Sequence, residues 1–99
     1  MPISAHAGGP AGGPVIDDSG NSVALTAWSM RRYAIIIADP ANTGNLFLKL
    51  GAGPAVWEEG IILVPGGFYE ITLENLYFDL ITAIAGAGLT QRVFTQQGG

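Results

Sequence analysis

The feature that most restricts the fold of this chain is a succession of short apolar runs, each closed by a cluster of turn-forming residues. The run 32–38 contains three consecutive isoleucines, which favours a strand that is covered on both faces. The next run, 45–50, alternates, so that its leucines share one side of a strand while Phe47 and Lys49 point to the other. Between the two runs lies 39–44 (DPANTG), whose composition predicts the turn of an antiparallel hairpin.

Five further runs of the same kind complete the pattern. In 68–74 the alternation predicts that Tyr69, Ile71 and Leu73 face the core, and the Pro65-Gly66 pair before it fits the two central positions of a type II turn. A helix is the alternative for 76–87, but the β-branched residues and glycines of this segment favour a strand. The seven predicted strands are 23–26, 32–38, 45–50, 61–64, 68–74, 78–85 and 90–95.

These runs predict an all-β protein, a small antiparallel β-sandwich or jelly-roll-like barrel of about seven short strands. Residues 1–21 are rich in Gly and Pro and poor in large apolar residues, which favours a flexible N-terminal arm that is extended when bound to a partner. The alternative is a flexible terminus without a binding role. Because 99 residues supply only one sizeable core, residues 22–99 form the single predicted β-sandwich domain.

Charge and composition disfavour two classes of binding partner, nucleic acids and membranes. The chain has 8 acidic and 4 basic side chains, so it lacks the excess of Lys and Arg that neutralises phosphates, and direct nucleic-acid binding is disfavoured. Its longest weakly charged stretch is shorter than the ~18 apolar residues of a membrane span, so no membrane partner is predicted. The first residues lack the pattern of a secretory signal, which favours synthesis in the cytoplasm.

Candidate chemical groups are few and scattered. His6 is the only histidine, it lies in the predicted arm, and the chain has no cysteine that could share a metal ion. Glu58 and Glu59 are adjacent, so on a strand they would point to opposite faces, whereas paired catalytic carboxylates converge on one bond. Asp17-Asp18 lacks the ligand spacing of a calcium loop. The sequence predicts a protein that is not an enzyme, with no catalytic, cofactor or metal site.

The weakly charged composition instead favours association. Only 12% of the residues are charged, and a domain of this size hides only about two thirds of its unfolded surface, so some large side chains are expected to stay exposed until the chain meets a partner. Trp and Tyr are prominent in the energetics of interfaces, although Trp28 and Trp57 are equally suited to a core. A homotrimer or homodimer is the predicted state.

Three segments together resemble small virion structural proteins of tailed bacteriophages. They are 31–37 (RRYAIII), 46–51 (LFLKLG) and 60–71 (GIILVPGGFYEI), followed by a terminal pair of strands. The resemblance spans about residues 22–96 and consists of hydrophobic alternation and two turn motifs, with no catalytic signature.

The resemblance implies a capsid decoration, or cement, protein of the virion that binds the major capsid protein shell through oligomeric contacts and its arm. The residues predicted to contact the partner are Arg31, Arg32, Trp57, Glu58 and Glu59. The alternative is a tail-fibre or baseplate module that binds a host surface glycan, with Trp57 or Tyr77 as a stacking platform. A small hydrolase is disfavoured, because His6 would have to act as a base from the arm.

Overall fold

The structure, a computed structural model, describes residues 14–99 and is all-β, as predicted. Residues 14–99 form eight strands rather than seven, because Val15–Ile16, which was predicted to belong to the arm, forms a first strand against the last one. The remainder of the predicted arm before Pro14 lies outside the described residues. The strands are β1 (Val15–Ile16), β2 (Ser22–Leu25), β3 (Tyr33–Ala38), β4 (Leu46–Leu50), β5 (Ile61–Leu63), β6 (Phe68–Ile71), β7 (Ile81–Ile84) and β8 (Gln91–Gly98).

The strands form two four-stranded antiparallel sheets. Sheet A has the order β1-β8-β3-β6, and sheet B has the order β2-β7-β4-β5. The pairs are nested along the chain, because β1 pairs with β8, β2 with β7, β3 with β6 and β4 with β5. In a jelly roll, successive nested strand pairs belong alternately to the two packed sheets. The strands here follow this order, so the predicted fold class is confirmed.

The predicted hairpin between β3 and β4 is wrong. Residues 39–44 do reverse the chain, but β3 lies in sheet A and β4 in sheet B, so the segment crosses between the sheets. The turn Val64–Gly67 is likewise formed, with Gly66 at φ 81 and a Gly67 N–H to Val64 C=O hydrogen bond of 2.7 Å, and it too links the two sheets. Turn residues specify where a chain reverses, whereas the choice of strand partner depends on the burial of whole faces.

The core lies between the sheets and is built by strict alternation in β3. Ala34, Ile36 and Ala38 are fully buried, whereas Ile35 and Ile37 point outward and are half-buried. The isoleucine run is therefore covered on one face only within the single chain, not on both as its composition predicts. The rest of the core comes from the inward positions of the other strands, including Ile16, Leu46, Leu48, Leu63, Ile71, Ile81, Ala83 and Val93.

Strand ends account for the remaining differences. β6 stops at Ile71, so Leu73, predicted to face the core, is 63% exposed in the connection that follows. That connection is organised by Asn75, whose side-chain amide donates to Glu70 O while its oxygen accepts from Thr72 N. The segment for which a helix was the alternative contains β7, in agreement with its β-branched composition.

Candidate functional site

Arg31, one of the predicted contact residues, lies inside the protein with none of its surface exposed. Its Nε donates to Gln97 Oε1 at 2.7 Å, and its Nη1 donates to Tyr77 O at 2.7 Å and to Asp79 O at 3.2 Å. Its Nη2 donates to Thr26 O. One guanidinium thereby joins the segment after β2, the connection before β7 and strand β8. The side chain predicted to meet a partner is enclosed by its own chain.

Arg31 is a buried cation, and within residues 14–99 no acidic side chain is in hydrogen-bond contact with it. Its four acceptors are main-chain carbonyls and a side-chain amide, all of them neutral. Loss of hydration lowers the pKa of Arg31, and its electrostatic interaction with Tyr77 opposes that shift. Hydrogen bonds to a charged donor are stronger than neutral ones, so the set of acceptors offsets part of the desolvation cost.

Arg32, the second predicted contact residue, is exposed immediately before β3, and its N–H donates to Gly98 O at 2.8 Å. It therefore belongs to sheet A, at the end where β3 begins and β8 finishes. The other three predicted residues lie in the β4–β5 connection of sheet B. The structure does not bring all five together: it groups Trp57, Glu58 and Glu59 and separates them from the two arginines.

Trp57, Glu58 and Glu59 form a tight, exposed turn. The Glu59 N–H donates to Val56 O at 3.0 Å, and Glu58 has a φ of 66°, which together define a type II turn with glutamate at the position that favours glycine. Glu58 is the one non-glycine residue with positive φ among residues 14–99. Glu58 therefore holds a backbone conformation that is costly for any residue except glycine, and it does so next to an exposed tryptophan.

The turn places the Trp57 ring on the outer face of sheet B. The ring packs edge-on against Phe47 with centroids 4.9 Å apart and an interplanar angle of 80°, yet Trp57 remains 41% exposed. A methyl group placed on Gly86 would lie 3.5 Å from Trp57 Cη2 and 3.3 Å from Leu89 Cδ1, so both side chains border that glycine. Aromatic pairs of this geometry add stability beyond the area that they bury.

Strand register extends this surface on both sides of Phe47. Phe47 is paired with Ile62 of β5 and with Ile84 of β7, and paired residues of adjacent strands share a face. Ile62 is 50% exposed. We call this surface the Trp57 patch, and it consists of Phe47, Trp57, Ile62, Ile84 and Leu89. The sequence signal that could have found it is an apolar residue, Phe47, at an outward position of an alternating strand.

Polar groups elsewhere are engaged with one another. In a shallow depression at one end of the sandwich, the Asn42 side chain donates to Arg92 O and accepts from Arg92 N, both at 2.9 Å. Beside it, Gln91 accepts from Thr43 N at 3.1 Å and donates to the Thr43 hydroxyl at 3.2 Å. These hydrogen bonds attach the 39–44 segment to the first residues of β8, and they stabilise its crossing from one sheet to the other. They do not converge on a point where a ligand could bind.

In the acidic loop 17–22, the polar side chains likewise form hydrogen bonds within the protein. Asp17 Oδ1 accepts from Ser19 N at 3.0 Å, from the Ser19 hydroxyl at 2.6 Å and from the Ser22 hydroxyl at 3.0 Å, and these bonds lower the pKa of Asp17, that of the Ser19 hydroxyl most. Across residues 14–99, no group of three or more His, Cys, Asp or Glu side chains is placed to hold a metal ion. His6 lies outside the described residues.

No helix within residues 14–99 has the length and apolar character needed to cross a membrane. Comparison with known proteins finds no matching family model, no matching curated protein and no matching solved structure.

Proposed function

We propose that this chain is a virion structural protein, a capsid decoration protein that binds and stabilises the shell of a major capsid protein. The observation that carries the proposal is the amount of apolar surface that a well-formed jelly roll leaves uncovered. In residues 14–99, fourteen large apolar side chains are more than a third exposed. Contiguous apolar surface on a folded domain marks a site of association.

Within this proposal the Trp57 patch is the surface that meets the shell. It joins a half-exposed tryptophan to Phe47 and Ile62, and Glu58 and Glu59, which follow Trp57 in the same turn, are both exposed. An aromatic anchor surrounded by polar groups is the arrangement in which a few residues supply most of a binding energy. The Gly- and Pro-rich residues 1–13 would supply the arm that contacts the shell, as the resemblance implies. The location that follows is the capsid surface, after synthesis in the host cytoplasm.

The test is co-sedimentation of the full chain with purified shells that lack it. We expect saturable binding with a fixed ratio of chains to shell subunits, and at least about a tenfold loss of affinity in Trp57→Ala. Leu73→Ser, which alters an exposed apolar residue of the β6–β7 connection, is the matched control and is expected to bind like wild type. Absence of saturable binding by the wild-type chain would refute the proposal.

The arm is tested in the same assay by removing residues 1–13. The truncation stops there because Pro14 O accepts from Val93 N at 3.1 Å and Val15–Ile16 forms β1, so a deeper cut would remove a strand of sheet A. An unchanged shell affinity of the truncated chain would exclude a role for the arm while leaving the role of the patch to the Trp57 variant.

One observation favours a second function, a tail-fibre or baseplate module that binds a host glycan. A half-exposed tryptophan beside two carboxylates offers a stacking surface and hydrogen-bond acceptors for a sugar ring. Tyr77, the other predicted platform, packs against the core and its hydroxyl donates to Leu80 O at 3.2 Å, which leaves Trp57 as the platform. Quenching of tryptophan fluorescence by cell-surface saccharides, lost in Trp57→Ala, would support this function over shell binding.

A further inference from the structure

The outer face of sheet A carries an apolar row that crosses three strands. Ile37 of β3 is paired with Phe68 of β6 on one side and with Phe94 of β8 on the other. Phe68 is 61% exposed and Phe94 37% exposed, and Ile37 between them is half-buried. An antiparallel sheet that faces water has polar residues at such positions, so the composition of this row is that of a covered face.

Glu70 and Arg92, which carry opposite charges, lie at opposite corners of this row, and the Glu70 carboxylate accepts a hydrogen bond of 2.8 Å from the Tyr33 hydroxyl on the same face. Glu70 lies two residues beyond Phe68 and is paired with Ile35, whereas Arg92 lies two residues before Phe94, at the other end of the face beside Val15. Both are exposed. With strands about 4.8 Å apart and a rise of about 3.3 Å per residue, each charged residue lies roughly 8 Å from Ile37, in opposite directions along one diagonal.

This arrangement is self-complementary. A two-fold axis can lie between two facing copies of sheet A, pass over Ile37 and run perpendicular to the Glu70–Arg92 diagonal. The axis brings Glu70 of each copy over Arg92 of the other, and the two apolar rows then cross over Ile37 at an angle of about 70°. A two-fold interface requires one patch to complement itself, and few distributions of charge do so.

We propose that the outer face of sheet A binds a second copy of this chain, forming a two-fold dimer with paired Glu70–Arg92 contacts on either side of the Phe68–Ile37–Phe94 row. The inference deepens the proposed function and depends on it for its biological setting, because it names the surface through which decorating copies associate. The face measures on the order of 20 by 20 Å, so a dimer would bury about 800 Å² in total, which is less than the roughly 1,200 Å² of stable interfaces and is the size of weak, transient ones. The dimer is therefore expected to dissociate on dilution.

The test is analytical ultracentrifugation of the full-length chain over a range of concentrations, without shells. Wild type is expected to show a monomer–dimer equilibrium. Glu70→Arg and Arg92→Glu are each expected to raise the dissociation constant at least about tenfold, because each brings like charges together twice in the dimer. The double variant E70R/R92E is expected to restore dimerisation, and Phe68→Ser is expected to weaken it without changing the fold.

The matched control reverses two exposed charges that lie elsewhere, Lys49 on sheet B and Glu74 in the β6–β7 connection, and is expected to dimerise like wild type. A monomeric wild type at millimolar concentration, a trimer, or a double variant as weak as either single variant would overturn the proposal. Because this readout contains no shells, its failure is distinct from a failure of shell binding, which the Trp57 variant reports.

Discussion

The Nε of buried Arg31 donates a hydrogen bond of 2.7 Å to the side-chain oxygen of Gln97, a residue 66 positions later in the chain. Gln97 lies in β8 and is paired with Ala34 of β3, so its side chain points into the sandwich where the guanidinium is held. The contact joins the segment just before β3 to the end of β8, and these two strands are the central pair of sheet A. Arg31 is therefore a buried residue held by hydrogen bonds, whereas the adjacent Arg32 is exposed.

Arg31→Ala is expected to lower the free energy of unfolding by about 3 kcal/mol or more, because it leaves a cavity and removes the donor from the buried carbonyls of Thr26, Tyr77 and Asp79. Arg32→Ala, the matched control, is expected to change it by less than about 0.5 kcal/mol, since Arg32 is exposed. Urea denaturation measures both. Equal losses in the two variants would contradict the structural role of Arg31.

The strained turn of the Trp57 patch provides a second prediction. Glu58→Gly is expected to stabilise the fold by about 0.5 kcal/mol, because glycine adopts positive φ without the steric cost that glutamate bears at 66°. Glu59→Gly, one residue later, has no such strain to relieve and is expected to destabilise the fold. Thermal unfolding of the pair checks the difference in sign, and a loss of stability in Glu58→Gly would show that its side chain supports the turn.

Substitution of Gly60 and of Gly66 by alanine distinguishes the cost of backbone strain from the cost of a steric clash. Gly60 has a φ of 88° and a methyl group there would overlap the carbonyl of Leu48, whereas Gly66 has a φ of 81° and no atom of a non-adjacent residue within 4 Å of such a methyl group. Gly66→Ala is therefore expected to cost about 1 kcal/mol from strain alone, and Gly60→Ala at least about twice as much. Comparable midpoints in urea would indicate that the β4–β5 loop relaxes to admit the methyl group.

Asp17 predicts a pH dependence. Its folded-state pKa lies below its ordinary value of 3.8, so its hydrogen bonds stabilise the fold fully above that value, and this contribution is lost as the pH falls through the folded pKa. Wild type is expected to exceed Asp17→Asn in stability at neutral pH, with the difference shrinking below about pH 4. Glu59→Gln removes one charge from an exposed turn and controls for net charge. A difference that stays constant down to pH 2 would exclude the mechanism.

Local chemistry determined where the strands and turns lie. The run of isoleucines in 32–38 predicted the strand β3, and period-two alternation in 45–50 predicted β4, because each side chain of a strand lies on the face opposite to its neighbours. The Pro65-Gly66 turn was predicted for an equally local reason, since glycine alone adopts positive φ at no cost. The weakly charged composition likewise predicted that apolar side chains remain exposed.

Only the tertiary structure decided which strands pair and which side chains are enclosed. The 39–44 turn connects two sheets instead of closing a hairpin, because partner choice depends on burying whole faces contributed by distant strands. Arg31 and Arg32 are the same residue type in adjacent positions, yet the acceptors that hold Arg31 inside come from Thr26, Tyr77, Asp79 and Gln97. Likewise Phe47 and Trp57, ten positions apart, form one patch only because the β4–β5 connection folds back over sheet B. Contacts between segments distant in the chain carry no local signal, so these relationships exist only in the folded protein.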